Sequence, residues 1–301
     1  MNGDVRRART SATTQGTTQR ATRATTSDPT RARMRPAAIA MLALTTLVGA
    51  AAYGWPFVAD HSFSETRGQD APWLFAVLLC LLALVLLAEV TSTGLDAKTV
   101  AVLGVLAAVG GALRVLSAGT AGLEPIFVVL VLGGRVLGPS MGMLFGCLAM
   151  LTGAFLTAGI GPWLAFQMIG AGWVAMGAAL LPRVGGRAEL ALLAAYGALA
   201  GLIYGALLNL WFWPFLSAGS APTGASFVPG ASAADNLGHY AVFYVATSLG
   251  WDVPRAILTG VLVLVAGRPV LATLRRAVRR AAFDAPVHFS PGESAPGRTA
   301  V

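Results

Sequence analysis

The arginines of this 301-residue chain constrain its fold more than any other feature, because they fall at the ends of long apolar runs, and on alternate ends. Between about residues 37 and 267 nearly everything is apolar. A chain patterned this way reads as a multi-pass membrane protein, and its basic residues orient it. Charged residues make up only 11% of it, against about 25% in soluble domains, which excludes a soluble fold. The net charge of +8 lies in tails and short loops. No folded basic surface offers it to nucleic acid, and lipid headgroups are the simpler partner. Cys80 and Cys147 both lie in apolar runs with no CxxC or Cys/His cluster, so neither a disulfide framework nor a metal site is expected. Both read as small packing residues.

The chain divides into four parts. Residues 1–36 form a basic tail rich in Arg, Thr and Ala, expected to be disordered and cytosolic; Met34 directly precedes the first apolar run, so the tail could reflect an overlong gene model. Residues 37–91 hold two apolar spans, about 37–53 and 72–90, separated by a polar stretch with Asp60, His61, Glu65, Arg67 and Asp70. Residues 92–267 hold six more, at about 99–116, 124–137, 141–158, 163–181, 189–215 and 239–266. The span at 124–137 is short for a bilayer that takes about 20 residues, so it should either start within the preceding Gly-rich loop or be buried by its neighbours. Residues 268–301 close the chain with a second basic tail. The expected fold is thus all-α, with about eight transmembrane helices.

With the N-terminus inside, the cytoplasmic segments hold the N-tail arginines, Lys98, Arg135, Arg183, Arg187 and the C-tail arginines. The outside segments hold only Arg67, with Arg114 near an outer end. The excess of inside positive charge calls for an even number of spans and both termini cytoplasmic. Small residues recur on two spans: Gly104, Ala107, Ala108, Gly111 and Ala112 on one, and the overlapping GxxxG pair Gly197, Gly201, Gly205 on another. Such faces let helices approach closely in lipid.

The polar residues inside the apolar zone mark candidate function. Asp252 and Arg255 stand in the middle of the last span, where a lone charge costs about 2.5–3.5 kcal/mol. Their i,i+3 spacing puts them on one helical face, and Pro254 between them should kink the span. Two readings stand for this intramembrane pair: a self-satisfied pin for the bundle, or a site facing a cavity. Near the outer side a second group gathers. Arg114 ends one span and Glu124 opens the next, and a bridge between them across the loop is expected. Trp163 lies in an outer turn and Gln167 one turn beyond it. Asn209, Trp211 and Trp213 close the outer end of their span; Asp235, Asn236, His239 and Tyr240 open the last. The tryptophans also fit an interfacial belt, but Gln167 and Asn209 need partners or water. Together the set describes an outward cup, apolar and aromatic with a few polar contacts, the usual make-up of a small-molecule site.

No Walker A pattern, HExxH or clustered metal-ligand set occurs, and Ser and His appear only in loops. No catalytic residue, cofactor or metal is assigned. No internal repeat of the kind many carriers show is evident.

From residue 99 to residue 280 the chain resembles the substrate-binding S component of an energy-coupling factor (ECF) vitamin transporter. The resemblance rests on the small-residue helix ending in Arg114, the segment EPIFVVLVLGGR at 124–135, LGPSMG at 137–142, GPWLAFQM at 161–168, and DVPR at 252–255. It covers six spans, equal to the six-helix core of that family; the two spans before it are an addition. The resemblance implies a non-enzymatic subunit of a bacterial plasma membrane that binds a vitamin-like molecule from outside. It implies partners as well: a transmembrane coupling protein and cytosolic ABC-type ATPases. It further implies that Ala101, Gly104, Val105, Ala108 and Ala112 form the face that docks the coupling protein. A corrinoid such as cobalamin or a precursor ranks first as ligand, with riboflavin-, thiamine- and queuosine-type molecules open. The competing readings are an integral membrane enzyme acting on a lipid-linked substrate, with Asp252 and Arg255 at its centre, and a secondary carrier.

Overall fold

The computed structural model describes residues 36–58, 97–117, 120–216 and 221–281. The expected second span at 72–90, the polar stretch before it, Cys80, and both outermost tails lie outside these residues. The described residues form eight α-helices: α1 Pro36–Gly54, α2 Ala97–Val115, α3 Ile126–Leu137, α4 Pro139–Leu156, α5 Leu164–Leu180, α6 Gly186–Phe212, α7 Ala233–Thr247 and α8 Leu249–Ala281. Single 3-10 turns at Trp55–Phe57 and Trp213–Phe215 finish α1 and α6. There is no strand among the described residues. Among the described residues four segments are long and apolar enough to cross a membrane: Ile39–Phe57, Pro139–Leu156, Gly186–Phe215 and Leu249–Arg279. Three shorter apolar helices pack among them.

The breaks follow the prolines and glycines. Gly138, at φ 88°, makes the corner between α3 and α4, with Pro139 at the first position of α4, where its missing N–H costs nothing. Leu181, extended ahead of Pro182, ends α5, as the residue before proline prefers. α7 starts at Ser232, whose hydroxyl accepts from the Asp235 amide at 3.1 Å, an N-cap.

One expected boundary is corrected. The last span, expected to be continuous over 239–266, is broken at Ser248 into α7 and α8. Asp252 and Arg255 therefore stand in the opening turns of α8, not mid-helix. α8 also carries on through the basic segment to Ala281; its 33 residues span about 50 Å at 1.5 Å each.

α3 is the central helix. At 12 residues it is only about 18 Å long, yet Phe127, Leu130, Val131 and Leu132 are wholly buried. Its neighbours enclose it, so it has no need to span lipid alone. Small residues set the other contacts. Gly110 and Gly111 of α2 lie against Ala149 and Thr152 of α4, and Gly142 approaches the backbone of Ala175. α1 is tied near its C-terminal end: the Tyr53 hydroxyl donates to the Phe166 carbonyl at 2.7 Å.

The sequence holds a repeat that its apolar patterning conceals. The tripeptide Trp-Pro-Phe ends both α1 and α6, and the two copies pair crosswise. Trp55 meets Phe215 with ring centroids 5.7 Å apart, and Phe57 meets Trp213 at 6.4 Å.

The two ends of the bundle differ in charge. One collects Arg135, Arg183, Arg187, Arg275, Arg276 and Arg279. There Glu189 accepts from Arg135 Nε at 3.0 Å and from Arg275 Nη2 at 2.6 Å. Arg135 also donates to the carbonyls of Leu181 and Pro182, at 2.7 and 2.9 Å, which caps α5. The opposite end holds a cavity.

Candidate functional site

The cavity has a volume of about 540 Å³, within the range of small-molecule sites. Residues of seven helices, α2 to α8, line it together with the loop after α2. α2 brings Arg114, α4 brings Met150 and α5 brings Gln167. α6 lines it with Tyr204, Gly205, Leu208, Asn209 and Phe212. The α7–α8 junction adds Thr247 and Ser248, and α8 adds Trp251, Asp252 and Arg255. The loop after α2 supplies Glu124.

That loop is held hard against the start of α8. Gly122 has φ 88°, and any Cβ there would run into the backbone of Trp251, so a residue with a side chain would push the loop off. Thr120 fastens it from within, its hydroxyl bonded to the carbonyls of Ser117 at 2.8 Å and Leu123 at 3.0 Å. The result is long-range: Glu124 Oε1 accepts from Arg255 Nη2 at 2.7 Å.

Arg255 is the hub of one wall. It also pairs with Asp252 Oδ1 and donates to the Gly201 carbonyl at 3.2 Å. Its guanidinium lies 5.3 Å from the ring centre of Phe127 and 5.6 Å from that of Tyr204, positions favourable for a cation over an aromatic face. Two carboxylates thus share one guanidinium, leaving a formal charge of −1. Asp252 Oδ2 and Arg255 Nε are buried without a hydrogen-bond partner among the described residues.

The expected Arg114–Glu124 bridge is corrected: Glu124 is taken by Arg255. Arg114 instead donates from Nη2 to Gln167 Oε1 at 2.6 Å and from Nη1 to the Met150 sulfur at 2.8 Å. It makes no ion pair among the described residues. Gly153 makes room for its stem, since a Cβ there would press on the Arg114 Cβ at 3.1 Å. Asn209 Nδ2 bonds the Ser248 hydroxyl, which lies 3.1 Å from that of Thr247.

The structure therefore brings Arg114, Glu124, Gln167, Asn209, Asp252 and Arg255 together. It places the other expected cup residues elsewhere, for physical reasons. Trp163 is over one-third exposed and donates to the Gly159 carbonyl at 3.1 Å, inside its own turn. Trp213 is buried in a separate aromatic cluster and donates to the Ala225 carbonyl at 2.7 Å. Asp235 serves the N-cap of α7. Asn236 bonds both backbone groups of Val228, at 3.0 and 2.9 Å, and so pins the preceding loop. Tyr240 is bonded to the Ala206 carbonyl. His239 is half-buried and does not line the cavity.

Tyr204, Gly205, Ser248 and Trp251 were not anticipated. The signal for Gly205 was present in the GxxxG pair, which is more than a helix-packing face. Its three glycines receive the polar stripe of α8: Gly197 lies against Thr259, Gly201 against Arg255, and Gly205 against the Asp252 carboxylate. On α2 the small residues split. Ala107, Gly110 and Gly111 are buried, whereas Ala101, Gly104, Val105, Ala108 and Ala112 all face outward. Gly104 has nothing within 4 Å of where its Cβ would be.

Comparison with known protein families, curated proteins and solved structures returns no match.

Proposed function

We propose that this chain is a membrane-embedded solute-binding subunit of the S-component type, working with a coupling protein and ABC-type ATPases. The observation that carries the reading is the cavity, built from polar groups of helices far apart in sequence and set at the end away from the arginine cluster. With the basic end cytoplasmic, as the positive-inside rule directs, the cavity opens to the exterior and both termini lie inside. The outward row of small residues on α2 supports the docking part. Small side chains that face away from the bundle leave a shallow strip on which another helix could seat closely.

A cavity of about 540 Å³ lies mid-range for a drug-sized ligand. It favours riboflavin- or thiamine-sized molecules over a corrinoid.

The test is native mass spectrometry of the full chain, purified in mild detergent from cells grown in rich medium. A co-purified vitamin-sized mass is expected, lost on combining Gln167→Ala with Asn209→Ala and retained in His239→Ala. An apo protein that no member of a vitamin panel stabilises thermally would overturn the reading. Turnover of a lipid-linked substrate by the isolated chain, abolished by Asp252→Asn, would replace it with the enzyme.

A further inference from the structure

The charges around the cavity are unevenly divided. On the α8 side, Asp252 and Glu124 share the single guanidinium of Arg255. The Asp252 oxygen not used in that pairing is buried and lacks a hydrogen-bond partner by geometry among the described residues, and Glu124 keeps about a quarter of its side chain exposed. That side is one negative charge in excess. On the α2–α5 side stands Arg114, a guanidinium whose partners among the described residues are an amide oxygen, a thioether and, at 3.5 Å, the Met150 carbonyl, all neutral. That side is one positive charge in excess. The cavity is neutral as a whole and polarised across its width.

A charge left without a counter-charge at a partly buried site is costly, and an opposite charge on a ligand relieves the cost. A neutral ligand relieves neither wall. A simple anion satisfies Arg114 and is repelled by the carboxylates, and a simple cation does the reverse. We infer that the cavity selects a zwitterionic ligand, with a carboxylate or phosphate against Arg114 and Gln167 and a protonated or N–H-rich nitrogen group against Glu124 and Asp252. This rests on the solute-binding reading above and narrows it to a charge class. Gln167 has a second role here. By accepting from Arg114 Nη2 it fixes the fork, and its own amide N–H groups are free to add a donor to the same anionic group.

The experiment uses the full chain in lipid nanodiscs and scaffold-matched probes. These are L-tryptophan, tryptamine and indole-3-propionate; thiamine monophosphate and thiamine; pyridoxamine 5′-phosphate and pyridoxamine; and riboflavin and biotin as neutral and singly anionic vitamins. Thermal stabilisation and apparent Kd are read for each. The stabilising probes are expected to be zwitterions, binding roughly tenfold to hundredfold tighter than their singly charged partners, the range of one charged hydrogen bond. Arg114→Gln should remove the advantage of a zwitterion over its cationic partner, and Glu124→Gln its advantage over the anionic one. A neutral or singly charged probe that binds as tightly as the zwitterions overturns the inference and leaves the solute-binding reading standing. So does an Arg114→Gln protein that keeps the zwitterion preference. If no probe stabilises the wild-type chain, the solute-binding reading falls and the inference falls with it. The wild-type comparison stands even if a variant fails to fold.

Discussion

The two ends of this bundle each carry a three-membered charge cluster, and the two are opposite in composition. At one end Glu189 holds Arg135 and Arg275; at the other Arg255 holds Glu124 and Asp252. The first cluster is closed. Arg135 also gives a donor from each terminal nitrogen to the carbonyls that end α5, and no atom of Glu189 or Arg135 is buried unpartnered among the described residues. The second is open, with orphaned atoms on both Asp252 and Arg255 and a cavity beside it. The same pair of chemistries can therefore staple a helix end or furnish a binding wall. What separates the two uses is whether the backbone uses up the leftover hydrogen-bonding capacity.

The strongest way to break this contrast is Arg255→Ala. It leaves the buried Asp252 carboxylate and the partly exposed Glu124 carboxylate without a counter-charge and should cost about 3–5 kcal/mol, read from the unfolding midpoint in detergent. Arg255→Lys should recover little, because an ammonium cannot serve both carboxylates and a carbonyl as a planar fork does. Next is Gly205→Ala, which drives a methyl into the Asp252 carboxylate and should cost about 1–3 kcal/mol. Gly201→Ala, with its nearest neighbour at 3.5 Å, should be far milder. Glu189→Gln should cost about 1–2 kcal/mol, since Arg135 keeps its two carbonyls and Arg275 is nearly half exposed, at 41%. It should leave probe binding unchanged; a loss of binding would mean that the two ends are not independent. The smallest effect is expected for Gly104→Ala, within about 0.5 kcal/mol. A bulky Ala108→Leu on the same face should leave the unfolding midpoint alone and, on the docking reading proposed above, weaken association with the proposed coupling protein in a co-purification.

The sequence displays features that depend on neighbours in the chain. Proline and glycine positions mark the ends of α3, α4 and α5, and Asp252 and Arg255 pair because three residues separate them on one helix. Of the two readings of the short run at 124–137, burial by its neighbours is the one that holds, since the helix begins only at Ile126. Partners brought together by folding are hidden. Glu124 has Arg114 ten residues away in the chain and Arg255 131 away, and only the position of Gly122 under Trp251 decides between them. The polar residues of α7 look like ligand contacts in a one-dimensional view, yet Asn236 and Tyr240 bond backbone groups and the Asp235 carboxylate accepts from the N-cap hydroxyl of Ser232 at 2.7 Å. The break at Ser248 escaped notice because Thr247, Ser248 and Gly250 are small enough to pass within an apolar run.

The glycine stripe of α6 and the polar stripe of α8 together act as a ruler. Gly205, Gly201 and Gly197 come every four residues, and Asp252, Arg255 and Thr259 of the antiparallel helix come every three or four, one to each gap. A small slide of α8 along α6 would push a carboxylate or a guanidinium stem out of its gap and onto a ridge. A slide of one full turn, about 5.4 Å, would set Arg255 over Gly205 and Thr259 over Gly201. The interlock therefore fixes the register of α8 on α6, and with it which charge stands beside the cavity.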